Sequence, residues 1–542
     1  MPPPPTEPAT AGSASHAARP GGTTEIGGPY ARYVLAVLTL VYVFNFLDRQ
    51  ILSILNEHIK ADLGLRDDQT GFLYGTAFAV FYALFGIPLG RLADVWRRSR
   101  LISLGLAGWS AMTALSGLAR NFGQLAAARI GVGIGEASAS PAAYSLLCDW
   151  FPAGRRGTAI ALYSSGIYVG AGLGLAVGGL VVQAWDGLHP AGTAPLGLRG
   201  WQVAFFVVGL PGLLLSLWVA TLREPLRGQV DGIFSPAEPR PFRIFLRELR
   251  AVLPPLTLVH LWRAQAGAAA LRANLVAAAA LALAAWALTA WIGSAVQWIA
   301  LAVGLYATFS WAQALRLRDA PSFELIFRTP SLRWAFLGFA LLAFTGYGVG
   351  FWTPPFFMRV HGVSAAEAGL VVGGSAALAG FLGVTLGGIL SDRWRVDSPN
   401  GRLWVGVLTA VLPVPVAVVT FTTSNVPLAF ALNLPLGVMT SLWVGVGATT
   451  VQDLVLPRMR ATASAAYILV VTFIGMALGP YTVGRLSVAF GDLRRAILCG
   501  LLANGLALAC MLLAMRRLGR DEASRVARAS AAGEPGLRPV GH

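Results

Sequence analysis

Charge is the scarcest feature of this chain. Only 12% of its 542 residues are Asp, Glu, Lys or Arg, against about 25% in a soluble globular protein. Hydrophobic residues make up 56%, and the mean hydropathy is +0.64. This composition excludes a series of water-soluble domains, because too few polar residues are present to cover their surfaces. It indicates a polytopic membrane protein.

Lysine and cysteine are nearly absent as well. Lys60 is the only lysine, so almost all of the 41 basic residues are arginines. The arginines separate apolar runs instead of clustering with aromatic residues, which is the positive-inside pattern of membrane proteins and not a nucleic-acid surface. The 3 cysteines are too few and too scattered for a disulfide framework or a thiolate metal site.

Catalytic motifs are also missing. The sequence contains no H-E-x-x-H, G-x-S-x-G or Walker motif, and its 6 histidines fall in loops, in tails or near the ends of apolar runs. We therefore predict a protein that is not an enzyme, requires no metal or other cofactor, and is not driven by ATP.

Long apolar runs dominate what is present. A transmembrane helix needs about 20 apolar residues, and fourteen runs of this kind occur. They are too long and alternate too little for barrel strands, so we predict an all-α polytopic membrane protein with fourteen transmembrane helices. The runs lie at 31–56, 69–92, 100–119, 122–148, 157–184, 201–222, 275–292, 296–315, 332–358, 364–390, 403–423, 426–450, 461–484 and 495–515.

The distribution of arginine predicts the orientation. When both termini are placed in the cytoplasm, most arginines fall in cytoplasmic loops and tails, as the positive-inside rule requires. Residues 1–28 have no apolar core, so we interpret them as a disordered tail and not as a signal peptide. We predict an integral protein of the bacterial inner (plasma) membrane.

Two sequence patterns occur twice. G-x-L-[AS]-D-x-W-R fits both 90–97 and 388–395, and D-x6-R-x-T-A-x-A-x-Y begins at Asp149 and again at Asp453. Two such halves can alternate access around a central site. The predicted organisation is a tail at 1–28, a six-helix half at 31–222, a cytoplasmic linker at 223–274, an inserted transmembrane hairpin at 275–315, a second six-helix half at 331–515 and a basic tail at 516–542.

The linker and the hairpin have contrasting compositions. In the linker, Arg243, Arg247 and Arg250 share one side of a helical stretch with apolar residues on another, which predicts a helix lying in the membrane interface. An ordinary solvated helix is the alternative. The hairpin segments contain tryptophans and no charge, so we expect them to lie outside the transport core.

The repeated loop resembles that of the major facilitator superfamily. The sequences F-N-F-L-D-R-Q-I-L (44–52), G-E-A-S-A-S-P-A (135–142) and D-W-F-P (149–152) are similar to its spinster-like branch, which includes lysolipid and sphingolipid exporters. The resemblance implies the major facilitator fold. It also implies an acidic-basic pair in the first span and a glutamate in the fourth.

Four acidic or basic residues of the first half lie well inside predicted spans, away from the span ends. Each costs about 2.5–3.5 kcal/mol or more at a helix centre, so a function is the first hypothesis. We predict that Asp48 and Glu136 carry protons, and that Arg49, Arg129 and Asn45 act as charge partners or substrate ligands. Two alternatives stay open: an ion bridge that only holds the half together, and direct binding of an anionic head group by the arginines.

The repeated loops predict a cytoplasmic gate. Asp94 is expected to approach the start of the eleventh span at Arg460, and Asp392 to approach Arg156, when the cytoplasmic side is closed. The gate as predicted consists of Gly90, Asp94, Arg97, Arg98, Arg156, Asp392 and Arg460.

The functional prediction is a proton-coupled secondary transporter. The second half has few polar residues, and Phe344, Phe351, Trp352 and Phe356 lie close together in its first span, which favours a lipid-like or amphipathic substrate. Lipid-facing positions are the alternative for these aromatics. A small organic-acid importer and a non-transporting membrane sensor or scaffold are the rival functions. The expected partners are the substrate, protons and the lipid bilayer, without nucleic acid.

Overall fold

The computed structural model describes residues 26–190, 193–228, 230, 238–263 and 265–534. Within these ranges the chain forms helices and no β-strand. Most of the predicted N-terminal tail lies outside them. Its last residues are anchored, because the Gly27 N–H donates to the Trp150 carbonyl at 2.8 Å.

The first half of the chain begins where Pro29 occupies the first turn of a helix, a position that tolerates proline. That helix ends at Gly64, which adopts the left-handed conformation at φ 63°. The helices are α1 (Pro29–Leu63), α2 (Asp67–Tyr74), α3 (Thr76–Val95), α4 (Arg98–Ser116), α5 (Phe122–Glu136), α6 (Ala139–Trp150), α7 (Ala153–Leu188) and α8 (Gly200–Ala220).

The middle of the chain contains two amphipathic helices, a pair of apolar helices and a short connector. They are α9 (Pro241–Val252), α10 (Leu256–Arg263), α11 (Gly267–Ile292), α12 (Ala295–Arg318) and α13 (Ala320–Phe327).

The second half contains a π-helical segment at Val471–Ala477, between α20 and α21. Its helices are α14 (Pro330–His361), α15 (Ala365–Asp397), α16 (Gly401–Val411), α17 (Pro413–Thr422), α18 (Val426–Ser441), α19 (Trp443–Asp453), α20 (Arg460–Val470), α21 (Leu478–Phe490), α22 (Leu493–Gly500), α23 (Leu502–Ala523) and α24 (Arg525–Ala531).

Twelve helical stretches among the described residues are long and apolar enough to cross a membrane. The predicted runs 100–119 and 122–148 are helical but are not among them. The first coincides with α4, which begins with Arg98 and Arg100, and the second is broken into α5 and α6 after Glu136. The fourteen-helix count, the insertion of the hairpin and the domain limits therefore remain predictions.

The two ends of the bundle can be distinguished by their contacts. The terminal face carries the start of α1 and the end of α8, where the Arg223 N–H donates to the Tyr30 hydroxyl. The opposite face carries the end of α1, the start of α2 and the end of α14. On that face Arg359 joins Glu57 and Asp67, which links the second half to the first.

The sequence repeat corresponds to similar ion networks at the terminal face. Arg98 is buried, pairs with Asp149, and its Nε lies 2.8 Å from Glu224 Oε1. In the second half, Arg402 Nε lies 2.8 Å from Asp453 Oδ2. Asp149 and Asp453 are the first residues of the longer repeat. Equivalent carboxylates therefore join helices within each half.

Glycine allows α7 to pack closely on both sides. Gly170 and Gly174 face the α1 backbone, where a β-carbon on Gly174 would lie 2.7 Å from the Leu47 carbonyl oxygen. Gly172 and Gly179 face α15, where they meet Gly373 and the Ala365 backbone. The first face holds one half together, and the second face forms a contact between the halves.

The helices α9 and α12 pack on the outside of α3. The ring of Phe242 in α9 lies 5.1 Å from that of Trp96, and Ala251 and Val252 share a small core with Leu84. Because Leu84 lies about 18 Å along α3 from Trp96, α9 runs beside α3. Its place in the membrane interface stays a prediction.

Part of the predicted basic tail is helical. Up to Glu534, residues 516–534 continue α23 and form α24, whose Arg528 donates from Nη1 to the Thr329 hydroxyl at 2.8 Å. Glu534 pairs with Arg458. The remainder, 535–542, lies outside the described residues.

Candidate functional site

A buried ion pair joins α1 to α5. Arg49 Nη2 lies 2.5 Å from Glu136 Oε2, and the two residues are 7% and 1% exposed. The same nitrogen lies 3.4 Å from the Asn45 side-chain oxygen. Glu136 is the last residue of α5, directly before the break that leads into α6. Three of the predicted site residues are thus together.

Aromatic rings surround the Arg49 guanidinium. Its Cζ atom lies 4.6 Å from the ring centre of Phe46, 4.4 Å from that of Phe78 and 5.3 Å from that of Tyr82. A desolvated cation–π contact stabilises a cation by about 2 kcal/mol. These rings keep a favourable environment for Arg49 when its bond to Glu136 weakens.

Asp48 and Arg129 occupy a second buried site beside the first. Asp48 is fully buried, and neither carboxylate oxygen has a hydrogen-bond partner among the described residues. Arg129 Nη1 lies 3.4 Å from the Asp48 backbone carbonyl, and its Cζ lies 5.6 Å from the Phe78 ring centre. Phe78 therefore contacts both guanidinium groups.

The pairing within this region differs in part from the sequence interpretation. Arg129 lies seven residues before Glu136 on the same helical face, so local spacing alone indicates Arg129 as its neighbouring guanidinium. In the structure, Glu136 instead accepts a hydrogen bond from Arg49 of α1. As expected from the turn of a helix, the adjacent residues Asp48 and Arg49 face different partners.

The aromatic contribution from α3 was missed by sequence reasoning. Phe78 and Tyr82 are four residues apart on α3, which puts them on one helical face. This spacing is common in packed helices, so it does not predict that the two rings contact charged residues. In the second half, Tyr347 packs against the apolar cores of both halves.

The aromatic residues at the end of α14 lie in a closed core. Phe351, Trp352 and Phe356 are fully buried. The Trp352 indole N–H donates to the Pro480 carbonyl at 2.9 Å, and the Ser53 hydroxyl donates to the Phe351 carbonyl at 2.6 Å. They neither face lipid nor line an open cavity, so they give no support for a lipid-like substrate.

An ionic cluster that sequence reasoning did not assign closes the opposite face. Arg359 Nη2 lies 2.6 Å from Glu57 Oε1, and its Nη1 lies 2.7 Å from Asp67 Oδ2. The Ser487 hydroxyl donates to Asp67 at 2.6 Å, and Lys60 pairs with the same carboxylate. These residues come from both halves, so the cluster joins the halves at this end.

The residues predicted for the cytoplasmic gate do not meet across the halves in this structure. Asp94 Oδ2 lies 3.2 Å from Arg91 of its own half, with its side chain 55% exposed. Asp392 is 79% exposed and lies 3.7 Å from Arg402, also in its own half.

The remaining gate residues also have no described contact across the halves. Arg156 Nε donates to the Cys148 carbonyl at 3.0 Å, and Arg460 is exposed at the start of α20. Gly90 faces Pro141, and Arg97 is exposed. Arg98 lies inside the network of its own half, so it is a structural residue in this state. The gate itself stays a prediction for the state in which the terminal face is closed.

No group of three or more His, Cys, Asp or Glu side chains that could hold a metal ion occurs within the described part of the chain.

Comparison with known proteins gives a consistent result. The family model of the Major Facilitator Superfamily matches residues 38–480. An MFS-type efflux pump of Mycolicibacterium smegmatis is 28% identical over 497 residues, which cover 90% of this chain and 93% of the pump. Protein spinster homolog 1 of Xenopus laevis is 24% identical over 487 residues, or 85% of this chain and 74% of that protein.

A solved structure is similar over nearly its whole length. It is a bacterial homologue of the human lysosomal transporter Spinster, in an inward-facing and unoccupied conformation. The TM-score is 0.69 with 27% identity, and the match covers 92% of this chain and 99% of that one.

Proposed function

Because this chain belongs to the major facilitator superfamily, we propose that it is a proton-coupled secondary transporter in which Glu136 and Asp48 carry the protons. The observation that carries the proposal is the buried pair of Arg49 and Glu136 at 2.5 Å. An ion pair held away from water contributes little net stability compared with apolar packing, so stability alone does not explain its presence.

The arrangement suggests how coupling would work. When Glu136 takes up a proton, its attraction for Arg49 falls, and the rings of Phe46, Phe78 and Tyr82 retain the guanidinium. Arg49 is then available to a substrate anion. Return of the proton restores the pair. The net charge of the site thus depends on whether Glu136 carries a proton, which either side of the membrane can supply.

The proposed orientation places the terminal face in the cytoplasm. Arginine-rich loops on that face support it. The opposite face is closed by Arg359, Glu57 and Asp67, which agrees with an inward-facing state like that of the bacterial spinster homologue. We propose the bacterial inner membrane as the location.

A lipid-like or amphipathic organic molecule is the proposed substrate class, which rests on the resemblance of 44–52 and 135–142 to the spinster-like branch. A small organic acid is the second candidate. One observation favours it: Arg129 keeps buried Nε and Nη2 groups without a partner among the described residues, and a carboxylate can bind a guanidinium through two such groups.

The test first identifies a substrate and then measures the effect of substituting Glu136. Purified protein is screened for thermal stabilisation by lysolipids and by organic acids at two pH values, and the best ligand is used for uptake into vesicles after a pH jump. Glu136→Gln should abolish pH-driven accumulation and retain part of the counterflow exchange. Glu367→Gln, an exposed carboxylate at the start of α15, is the matched control and should transport normally.

Two results would contradict the proposal. Full pH-driven accumulation by Glu136→Gln would remove this residue from the coupling mechanism. Absence of any transport by the wild-type protein, with ligand binding intact, would favour a sensor or scaffold.

A further inference from the structure

The helix α12 lies across the seam between the two halves. Gly304, near its middle, faces both sides: a β-carbon there would lie 2.8 Å from Cζ of Phe473 in the π-helical segment and 3.2 Å from Cγ1 of Val80 in α3. Leu301 shares an apolar cluster with these same two residues. One face of α12 therefore packs on both halves at once.

A second set of contacts lies near the opposite face. The hydroxyl of Ser294, at the start of α12, donates to Asp68 Oδ2 of the first half at 3.0 Å. The ring of Trp298 meets that of Tyr481 of the second half edge to face, with the ring centres 5.6 Å apart. The Trp298 indole N–H also donates to the Gly293 carbonyl at 2.9 Å, which fixes the ring beside the turn.

The seam beneath α12 is among the contacts that close the opposite face. Gly71 of α2 lies against α21 so closely that a β-carbon there would be 2.5 Å from the Pro480 carbonyl oxygen. The Thr76 hydroxyl donates to the Ala477 carbonyl at 2.9 Å. When the opposite face opens, α2 and α3 must separate from α21 and the π-helical segment. The contacts of α12 to one of the two sides must then break.

The partner helix α11 has few contacts of its own. Its outward side is exposed, with Trp286 69% and Trp291 83% exposed. The hairpin is thus held to the bundle mainly through α12 and its neighbour α9, whose Val252 shares a core with Ala307.

We propose that α12 acts as a strap that stabilises the state with the opposite face closed. Ser294 and Trp298 are its specific contacts to the two halves, and Gly304 lets it fit over the seam. This role of α12 depends on the alternating access proposed above. It adds a control element outside the substrate path, and weakening it should favour opening of the opposite face.

The experiment measures distances across the opposite face by double electron–electron resonance. Spin labels are placed at Leu188 and Ser424, which are exposed on that face in different halves, after replacement of Cys148, Cys499 and Cys510. Trp298→Ala and Ser294→Gly are measured in the wild-type background and in Arg359→Gln, where loss of the ionic cluster raises the open population. Trp291→Ala is the matched control, because it removes an exposed tryptophan from the same hairpin.

We expect Trp298→Ala to raise the ratio of long to short distances by about two- to tenfold, the factor that follows from losing one aromatic pair. Ser294→Gly should act in the same direction, and Trp291→Ala should change nothing. If Arg359→Gln opens and neither strap variant adds to it, the strap is wrong while alternating access stands. If no variant ever populates a long distance, alternating access itself is contradicted.

A cross-link keeps the test valid if Trp298→Ala impairs folding. In Trp298→Cys with Tyr481→Cys, a short bifunctional thiol reagent should tie α12 to α21, and in Ser294→Cys with Asp68→Cys it should tie α12 to α2. With both links formed in one protein, the long-distance population should disappear from the Arg359→Gln background. Normal opening of the doubly linked protein would overturn the proposal.

Discussion

At the scale of single residues, the Arg49–Glu136 pair can be both a structural bridge and a functional group, and a mutant cycle separates the two. Arg49→Met leaves the Glu136 carboxylate buried without its partner and should destabilise the protein by about 3–5 kcal/mol. Arg49→Met combined with Glu136→Met removes both charges and should recover most of that stability. Thermal unfolding in detergent measures both effects.

Transport by the same variants gives the functional answer. The double variant should remain inactive in pH-driven transport although it is stable, because it lacks Glu136, one of the two proposed proton carriers. Recovery of transport together with stability would show that the pair only holds α1 to α5.

Asp319 provides a residue-scale prediction about pH. Hydrogen bonds from Arg458 and Ser322 lower its pKa from 3.8 to about 2, against the opposing effect of burial. Since the folded-state pKa lies below the unfolded one, the contact stabilises the protein above about pH 4 and is lost as the pH falls towards 2. Thermal unfolding between pH 5 and pH 2.5 should thus be less pH-dependent in Asp319→Asn, which keeps a side-chain oxygen for the cap of α13. An unchanged slope would assign the acid sensitivity to other carboxylates.

At the scale of helices, the contact between α7 and α15 depends on glycine. A β-carbon on Gly373 would lie 2.5 Å from the Gly172 carbonyl oxygen, whereas one on the adjacent Gly374 would meet nothing within 4 Å. Gly373→Ala should cost about 1–3 kcal/mol through overpacking. Gly374→Ala should be neutral or stabilise slightly, because alanine favours a helix over glycine.

Chemical or thermal unfolding of the two variants side by side checks this prediction. The neighbouring positions control for helix propensity and for membrane depth. Equal stability of the two variants would mean that α7 and α15 can move apart at no cost.

At the scale of the whole molecule, the ion pairs described above that join the halves lie at one end. Arg359, Glu57 and Asp67 join the halves at the opposite face, while Asp94 and Asp392 at the terminal face contact only their own halves. The predicted cytoplasmic gate is thus not formed in this structure, and it stays a prediction for the state in which the terminal face is closed.

Arg359→Gln should therefore shift the equilibrium towards opening of the opposite face. Loss of two partly buried charge contacts should change the population ratio by about tenfold, which corresponds to about 1.4 kcal/mol. Distance measurements between Leu188 and Ser424 report it. Arg495→Gln is the control, because Arg495 is 75% exposed and pairs with Asp492 of its own half. A shift of the same size in the control would indicate a general effect of surface charge.

The sequence by itself determined the class of this protein and the residues worth testing. Scarcity of charge and the length of the apolar runs required membrane-spanning helices, and the repeated loop motifs indicated two related halves. The cost of charge in hydrocarbon singled out Asp48, Arg49, Arg129 and Glu136, because this cost depends on residue type and depth alone.

Only the tertiary structure decided which of these residues pair and where the halves meet. Glu136 bonds to Arg49 and not to Arg129 because α1 packs beside the end of α5, and local helical spacing cannot predict a neighbour on another helix. For the same reason, the sequence could not predict the roles of Phe78 and Arg359 or the position of α12 across the seam. Their roles arise from side chains that lie hundreds of residues apart in sequence, or on different helices, and meet only in the folded protein.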